Sequence, residues 1–409
     1  MKAARKSFSL PTRLLAIGHI DGNPQLRVRN TSDLDPGTVY VTLSHCWGRK
    51  PVISLLDNNI KEFQKSIPVE SLSKTFQDAV EVTRALGYQY IWIDSLCIIQ
   101  KSSVDWHQES SFIGDIYSNA ILNIAATASV DGNGGLFYRS DSLAQNPCLI
   151  RLKGKPTDGT GFICHDFQSW GPMLGSNVEK SPLARRAWVV QERALSPRIV
   201  HFAEDQVRWE CQSCRDSEFS PGLDCSSKDL GLLAARSSNS VDLYDEWERT
   251  VNRYSQCALT FGSDKFVALA GLAQRTCQQL GVQPTDYLAG IWRANMPTGL
   301  LWRTIPYARR RKRILDRAPS WSWGCIDGGV LMPMSRTQNL EDSVYVWDNR
   351  VKAAYTRTAV SRYSSNQCRP YCRLLSADIS HLGDPFGTVT EGSVTLKGPF
   401  CAIRTTGPR

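Results

Sequence analysis

The sequence predicts an α/β protein: a parallel βαβαβ core, a β-hairpin in front of it and an α+β extension behind it. Two observations carry this. Short apolar runs at residues 39–43, 90–93 and 120–126 alternate with segments of helical spacing, the pattern of buried parallel strands joined by crossover helices. The second is Asp94, which interrupts the apolar stretch 90–100 where its strand should end. Ligands of open parallel sheets bind outside the carboxyl ends of the strands, so a carboxylate there has a chemical reason to exist.

In chain order, Asp21-Gly22-Asn23-Pro24 reads as a turn, with Leu14-Leu15 before it and Leu26-Arg27-Val28 alternating after it. This makes residues 1–38 an N-terminal β-hairpin segment. The run 39–43 is β-branched and aromatic, hence a strand, and it ends in Ser44-His45-Cys46-Trp47-Gly48. Ser71 or Ser73 can cap a helix that runs to Leu86. Leu72, Phe76, Ala79, Val80 and Thr83 recur on its inner face, and Gly87 is placed to end it. The strand at 90–93 follows at once, which makes a right-handed crossover. Residues 103–119 form a second helix with Trp106, Ile113, Ile116 and Tyr117 inside and Glu109 beside them, before the strand at 120–126.

Residues 130–180 read as loops with short strands at 148–152 and 162–164. A helix at 185–196 and a hairpin at 198–202 and 207–211 follow. A polar linker is expected over 212–238, then helices at 244–260 and 268–280. A further helical stretch at 288–302 is broken by Pro297, and a β-rich tail begins near Ala318. The expected organisation is therefore a hairpin segment (1–38), an α/β domain (39–211), a linker (212–238) and a helical then β-rich region (239–409).

Among 409 residues, 42% are hydrophobic and 21% charged. That is an ordinary soluble balance, able to bury a core and unlike a disordered chain. Thirteen cysteines, an odd number spread over the chain, do not make a small disulfide scaffold. No stretch approaches the ~18 apolar residues of a membrane-spanning helix. A reduced, cytoplasmic location is expected, with the nucleus as the alternative. The net charge of +9 is concentrated in Arg309, Arg310, Arg311, Lys312 and Arg313. The bland reading of that run is a solvated loop; a nucleic-acid patch or a nuclear-import signal is the sharper one.

Ser44, His45, Asp94 and Cys97 come from the ends of adjacent strands and should lie near one another, with Glu192 and Arg193 completing a polar pocket. Such a set suits a phosphate- or ribose-bearing ligand, or general acid–base work. Equally, Asp94 and Ser44 could cap neighbouring helices, with Glu192 paired to Arg186 or Arg193. Cys46 and Cys97 read as small buried hydrophobes rather than nucleophiles. Cys211-Gln212-Ser213-Cys214 with Cys225 lacks a second CxxC and does not make a zinc finger. No metal and no firm cofactor are indicated, and no phosphate loop of the GxxxxGK[ST] type is present.

Three ordered blocks resemble the fungal heterokaryon-incompatibility (HET) domain: 40–48 (Tyr40 to Gly48), 86–120 around Trp92-Ile93-Asp94-Ser95-Leu96-Cys97, and 186–196 around Trp188 and Glu192-Arg193. Leu259-Thr260 with Asp264-Lys265, the stretch Tyr287-Leu288-Ala289-Gly290-Ile291-Trp292 and Ala318-Pro319-Ser320-Trp321-Ser322-Trp323 are also usual in such proteins. The chain departs from the pattern at His45, where tyrosine is common, and at Ile99, where asparagine is common.

The resemblance implies a flavodoxin-like core, remotely similar to the Toll/interleukin-1 receptor domain, and a role in non-self recognition ending in programmed cell death. Some members of that broader group cleave NAD with a glutamate. By that analogy NAD is a candidate substrate, with Glu192, Asp94 and Glu109 the candidate catalytic acids. Ser44, His45, Trp47, Gly48, Cys97, Gln100 and Arg193 are then the candidate ligand-binding residues. Two other readings stand beside it. One is a non-enzymatic death-signalling module that self-associates or binds a protein partner. The other is an enzyme or accessory protein of a fungal secondary-metabolite pathway.

Overall fold

The computed structural model describes residues 9–20, 23–48, 52–139, 148–150, 162–164, 178–218, 240–305, 312–314, 316–333 and 373–397. The chain divides into two compact units. The first holds residues 1–236 together with Cys257–Leu259 and Ala268–Leu272; the second holds the remainder.

The first unit is built on an eight-stranded mixed sheet. Strands β1 (Arg13–Ile20) and β2 (Asn23–Asn30) form the expected hairpin, with Arg13 opposite Asn30 and Ile20 opposite Asn23. Leu26 and Val28 are buried while Arg27 between them is exposed, the alternation of a sheet with one covered face. Strand β3 (Val41–Ser44) is buried at every position. Helix α1 (Lys74–Ala85) buries Thr75, Phe76, Ala79, Val80 and Thr83, the stripe its spacing predicted. Ser73 occupies the N-cap with extended backbone but no side-chain cap bond. Gly87, at φ +81°, ends the helix in the left-handed region.

Strand β4 (Tyr90–Trp92) follows, then helix α2 (Ser103–Asn119) and strand β5 (Leu122–Ala125). Ser102 caps α2 by accepting the Asp105 amide at 3.3 Å. Helix α3 (Ala187–Leu195) leads into β6 (Arg198–Phe202), β7 (Val207–Cys211) and β8 (Arg215–Ser217). The polar stretch expected as a linker from residue 212 thus opens with a strand; Arg215 pairs with Glu210 across a tight turn. Residues 219–239 lie outside the described residues.

The strand order is β8-β7-β6-β5-β3-β4-β1-β2. The four central strands β6, β5, β3 and β4 run parallel, and antiparallel hairpins extend the sheet on both sides. From β3 the chain crosses to β4 on one side, then returns to lay β5 and β6 on the other. The winding therefore reverses between β3 and β5, where Ser44 stands opposite Ala125. In open α/β sheets that reversal opens a crevice at the carboxyl ends of the two strands.

Helix α2 also meets the segment Ala268–Leu272 of the same unit. A Cβ on Gly114 would sit 2.8 Å from the Cα of Gly271 and 3.3 Å from Leu195 Cδ1. Alanine for glycine within a helix ordinarily gains up to about 1 kcal/mol. Here the obstacle is backbone, which cannot swing aside, and overpacking costs about 1–3 kcal/mol. Gly114→Ala is expected to lower stability by about 1–2 kcal/mol in urea unfolding; a more stable variant would show that the two backbones are free to separate.

The second unit contains α4 (Ser240–Tyr254) and most of α5 (Val267–Leu280). Trp247 and Trp323 both donate their indole N–H to the Gly290 carbonyl, each at 3.0 Å. The expected helix over 288–302 is corrected here. Tyr287–Leu288 and Ile291–Trp292 pair as a hairpin across Ala289 and Gly290, whose φ values are +47° and +93°. Two consecutive positive φ values define the turn type that matches strand twist. Arg293–Asn295 and Met296–Gly299 supply only single helical turns. Among the described residues the β-rich tail contains short pairs and a long hairpin, Arg373–His381 with Val389–Lys397. Arg309, Arg310 and Arg311 lie outside the described residues; the backbone of Lys312–Arg313 pairs with Ile326–Asp327. No helix among the described residues is long and apolar enough to cross a membrane.

Candidate functional site

Glu192 is the centre of the site. It lies on α3, where Val189, Val190, Gln191, Ala194 and Leu195 are buried with it, so the helix is packed nearly all round. The carboxylate meets the end of β3: Ser44 Oγ donates to Glu192 Oε2 at 2.5 Å. Asn123 on β5 donates from Nδ2 to Ser44 Oγ at 3.0 Å, and Thr42 Oγ1 donates to Asn123 Oδ1 at 3.2 Å. A polar chain thus runs from mid-sheet to Glu192 through the point where the winding reverses. Burial pushes the Glu192 carboxyl up to about 7, against the pull of the Arg186 charge and of the bonds from Ser44 and Tyr117, with the Asp94 charge pushing the same way as burial. A carboxyl poised there can give or take a proton near neutral pH.

Asp94 opens a one-turn helix, Asp94–Cys97, directly after β4. Its Oδ1 accepts the Ser95 amide at 2.7 Å and its Oδ2 accepts the Trp47 indole N–H at 2.8 Å. The side chain keeps 27% of its surface in solvent, so capping and ligand access coexist. His45 Nε2 stands 3.7 Å from Asp94 Oδ1 and has no hydrogen-bond partner among the described residues. Burial pulls the imidazole down to about 4; Asp94 opposes this and Arg186 adds to it. His45 is therefore neutral at physiological pH, one polar nitrogen left unanswered. Arg186 Nη1 donates to the His45 carbonyl, which ties the start of α3 to the end of β3. Gly48 turns at φ +71° with Asp131 so close that a Cβ would lie 2.3 Å from the Asp131 Cβ; only glycine passes there.

The remaining candidates fall elsewhere. Cys97 is fully buried, with its thiol pushed up to about 12 by burial, and behaves as a small hydrophobe. Gln100 Nε2 bridges the carbonyls of Asp94 and Ile98 at 3.2 and 3.0 Å, bracing the one-turn helix. Glu109 faces a separate cluster: Arg13 Nη2 lies 3.7 Å from it and 2.6 Å from both oxygens of Asp105. Burial pushes the Glu109 carboxyl up, against Thr12 and Arg13.

Arg193 points away from Glu192, as neighbours on a helix must. It binds Glu210 at 2.6 Å and Glu179 at 2.7 Å. His201 joins the same cluster, 3.0 Å from Glu210 Oε2 and 3.1 Å from Thr127 Oγ1. Burial alone would push Glu210 up, but Arg193 and His201 together hold it well below the usual carboxylate range. The cation beside Glu192 is Arg186, six residues earlier at the N-cap of α3. Asn123 and Tyr117 are the site residues that pattern reading passed over, whereas Arg186 was expected as one of two possible partners of Glu192. Asn123 carried a usable signal, as a lone amide inside an apolar strand. Among the described residues no group of three metal-ligating side chains assembles.

The fold is thus a mixed α/β sheet with a buried carboxyl at its winding reversal. Residues 40–192 match the family model described as heterokaryon incompatibility protein (HET). The chain carries a heterokaryon-incompatibility domain there, and the matched span runs from the residue before β3 to Glu192 itself. The comparisons with curated proteins and with solved structures return no match.

Proposed function

We propose that this heterokaryon-incompatibility-type protein acts in non-self recognition leading to cell death, by hydrolysing a ribose-bearing dinucleotide such as NAD at the β3–β5 crevice. The observation that carries the reading is the short Ser44–Glu192 bond at that crevice, with Glu192 poised near 7. The unanswered His45 Nε2 and the half-open Asp94 beside it offer polar partners for ribose hydroxyls. In this reading Arg186, whose charge acts on Glu192, replaces Arg193 as the cation for the ligand, a role that the resemblance had implied for Arg193. The 2-1-3-4 order of the parallel strands supports a flavodoxin-like, Toll/interleukin-1-receptor-like core.

In the reaction, the bond between the nicotinamide nitrogen and ribose C1′ breaks, and nicotinamide leaves with the bonding pair. Water adds its hydroxyl to C1′ and gives up one proton. Glu192 as carboxylate steadies the developing positive charge on the ribose or accepts that proton.

The test incubates the full chain with NAD and follows nicotinamide release. Glu192→Gln is expected to lower the rate at least about a hundredfold. No turnover by the wild-type chain, beside clear toxicity on expression, would sink the enzymatic reading. The enclosure of Glu192, 9% exposed, favours a second reading: a non-catalytic signalling module in which the Ser44–Glu192 pair is structural. Toxicity retained in Glu192→Gln and Asp94→Ala would support that one.

A further inference from the structure

The β7–β8 turn brings two cysteines together away from Glu192. Cys211 ends β7, Cys214 precedes β8, and the Cys211 amide donates to the Cys214 carbonyl at 2.9 Å to close the turn. The two sulfurs stand 3.6 Å apart as thiols, and both residues are partly exposed. Cys211 Sγ accepts the amides of Ser213 and Cys214, each at 3.4 Å. Burial pushes the Cys211 thiol up, but these two amides, with the Cys214 thiol and Trp209, outweigh it and hold the thiol below its ordinary value. Elsewhere Cys46, Cys97, Cys277 and Cys325 are buried. Reactive thiols are those that are accessible and thiolate-stabilised, which separates Cys211 from them.

We propose that Cys211 and Cys214 form a thiol–disulfide exchange site that reacts with small-molecule disulfides. The Cys211 thiolate attacks one sulfur of the small disulfide, and the other sulfur leaves as a thiolate that takes up a proton. A mixed disulfide now occupies Cys211. Cys214 loses its proton, attacks Cys211 Sγ and expels the second small thiol. The protein gives up two protons and two electrons, and the small disulfide becomes two thiols; excess thiol reverses the exchange. The flanking residues are Glu210 and Arg215, paired at 3.0 Å, and Glu210 also grips Arg193 on α3. The oxidised bridge would pin the turn next to Glu210, which reaches Arg193 on α3. This site stands independently of the reading of Glu192.

Oxidised glutathione is the probe. The reduced full chain is incubated with it, alkylated and mapped by peptide mass spectrometry. The peptide holding Cys211 and Cys214 is expected to lose the two thiol hydrogens, resist alkylation and recover with reduced glutathione. Cys214→Ser is expected to trap one glutathione on Cys211, at least about tenfold faster than on Cys257 and with the advantage lost in denaturant. Full alkylation of both cysteines after oxidised glutathione would overturn the proposal, as would a Cys211 no faster than Cys257 in Cys214→Ser.

Discussion

Replacing Arg13 by methionine is expected to cost about 3–5 kcal/mol of stability, the loss typical of a buried ion pair stripped of one partner. Arg13 lies on the hairpin strand beside β4, and 6% of its side chain is exposed. Its Nε donates to the Cys97 carbonyl at 2.8 Å and its Nη2 to both Asp105 oxygens at 2.6 Å. Asp105 also accepts the Ile99 amide at 2.7 Å, so one carboxylate holds the segment after the one-turn helix. Removing the guanidinium leaves Asp105 and Glu109 as neighbouring acids, with the Glu109 side chain 1% exposed. Methionine fills the volume, so the loss reports charge rather than a cavity. Neutralising Glu109 as well, in Arg13→Met with Glu109→Gln, should recover part of it. Urea unfolding followed by tryptophan fluorescence measures both; a single-variant loss under about 1 kcal/mol would show that the cluster is solvated.

Glu192→Gln should do the reverse at alkaline pH. The folded-state pKa near 7 is raised from an ordinary 4.5. The folded protein therefore binds the Glu192 proton more tightly than the unfolded chain does. The associated stability is fully present below about pH 4.5 and is lost as pH rises through 7. The whole span converts to about 3 kcal/mol. Glutamine keeps an acceptor for Ser44 and carries no charge to desolvate. At pH 8 the variant should be more stable than wild type by about 1–3 kcal/mol, and near pH 4.5 the two should converge. Glu210, held low by Arg193 and His201, acts in the opposite sense: its contribution is present above its unfolded pKa and lost as pH falls. The informative quantity is thus the difference between the two proteins across pH 4.5–8, in which Glu210 cancels. A constant difference would mean that Glu192 titrates normally. Lost function with gained stability in one substitution would mark a site held under strain for a purpose.

The βαβαβ core was legible because its signals are local. Val41, Ile91 and Ile124 sit in short apolar runs, and Phe76, Ala79, Val80 and Thr83 recur at helical spacing. The hairpin at Tyr287–Trp292 was missed because its turn is Ala289-Gly290, with no Asn or Asp to announce it, so the apolar residues on either side read as a helix. The site was half legible. Strand ends point Ser44, His45 and Asp94 to one region, and this follows from topology alone. Which face of α3 meets them does not. Glu192 and Arg193 are adjacent in sequence, and only tertiary packing sends one to Ser44 and the other to Glu210. Glu109 looked equivalent to Glu192 for the same reason, until Arg13, 96 positions away in the chain (109 − 13), was seen to claim it.

The ends of the eight-stranded sheet bear on how such a protein could assemble. An exposed strand edge is a template for a second chain. On one side the outer strand β2 is met by its own chain, with the Ile67 amide donating to the Leu26 carbonyl at 2.6 Å. On the other, β8 is three residues long and offers little to extend. Among the described residues, both edges are thus poor templates for fibre-like strand addition.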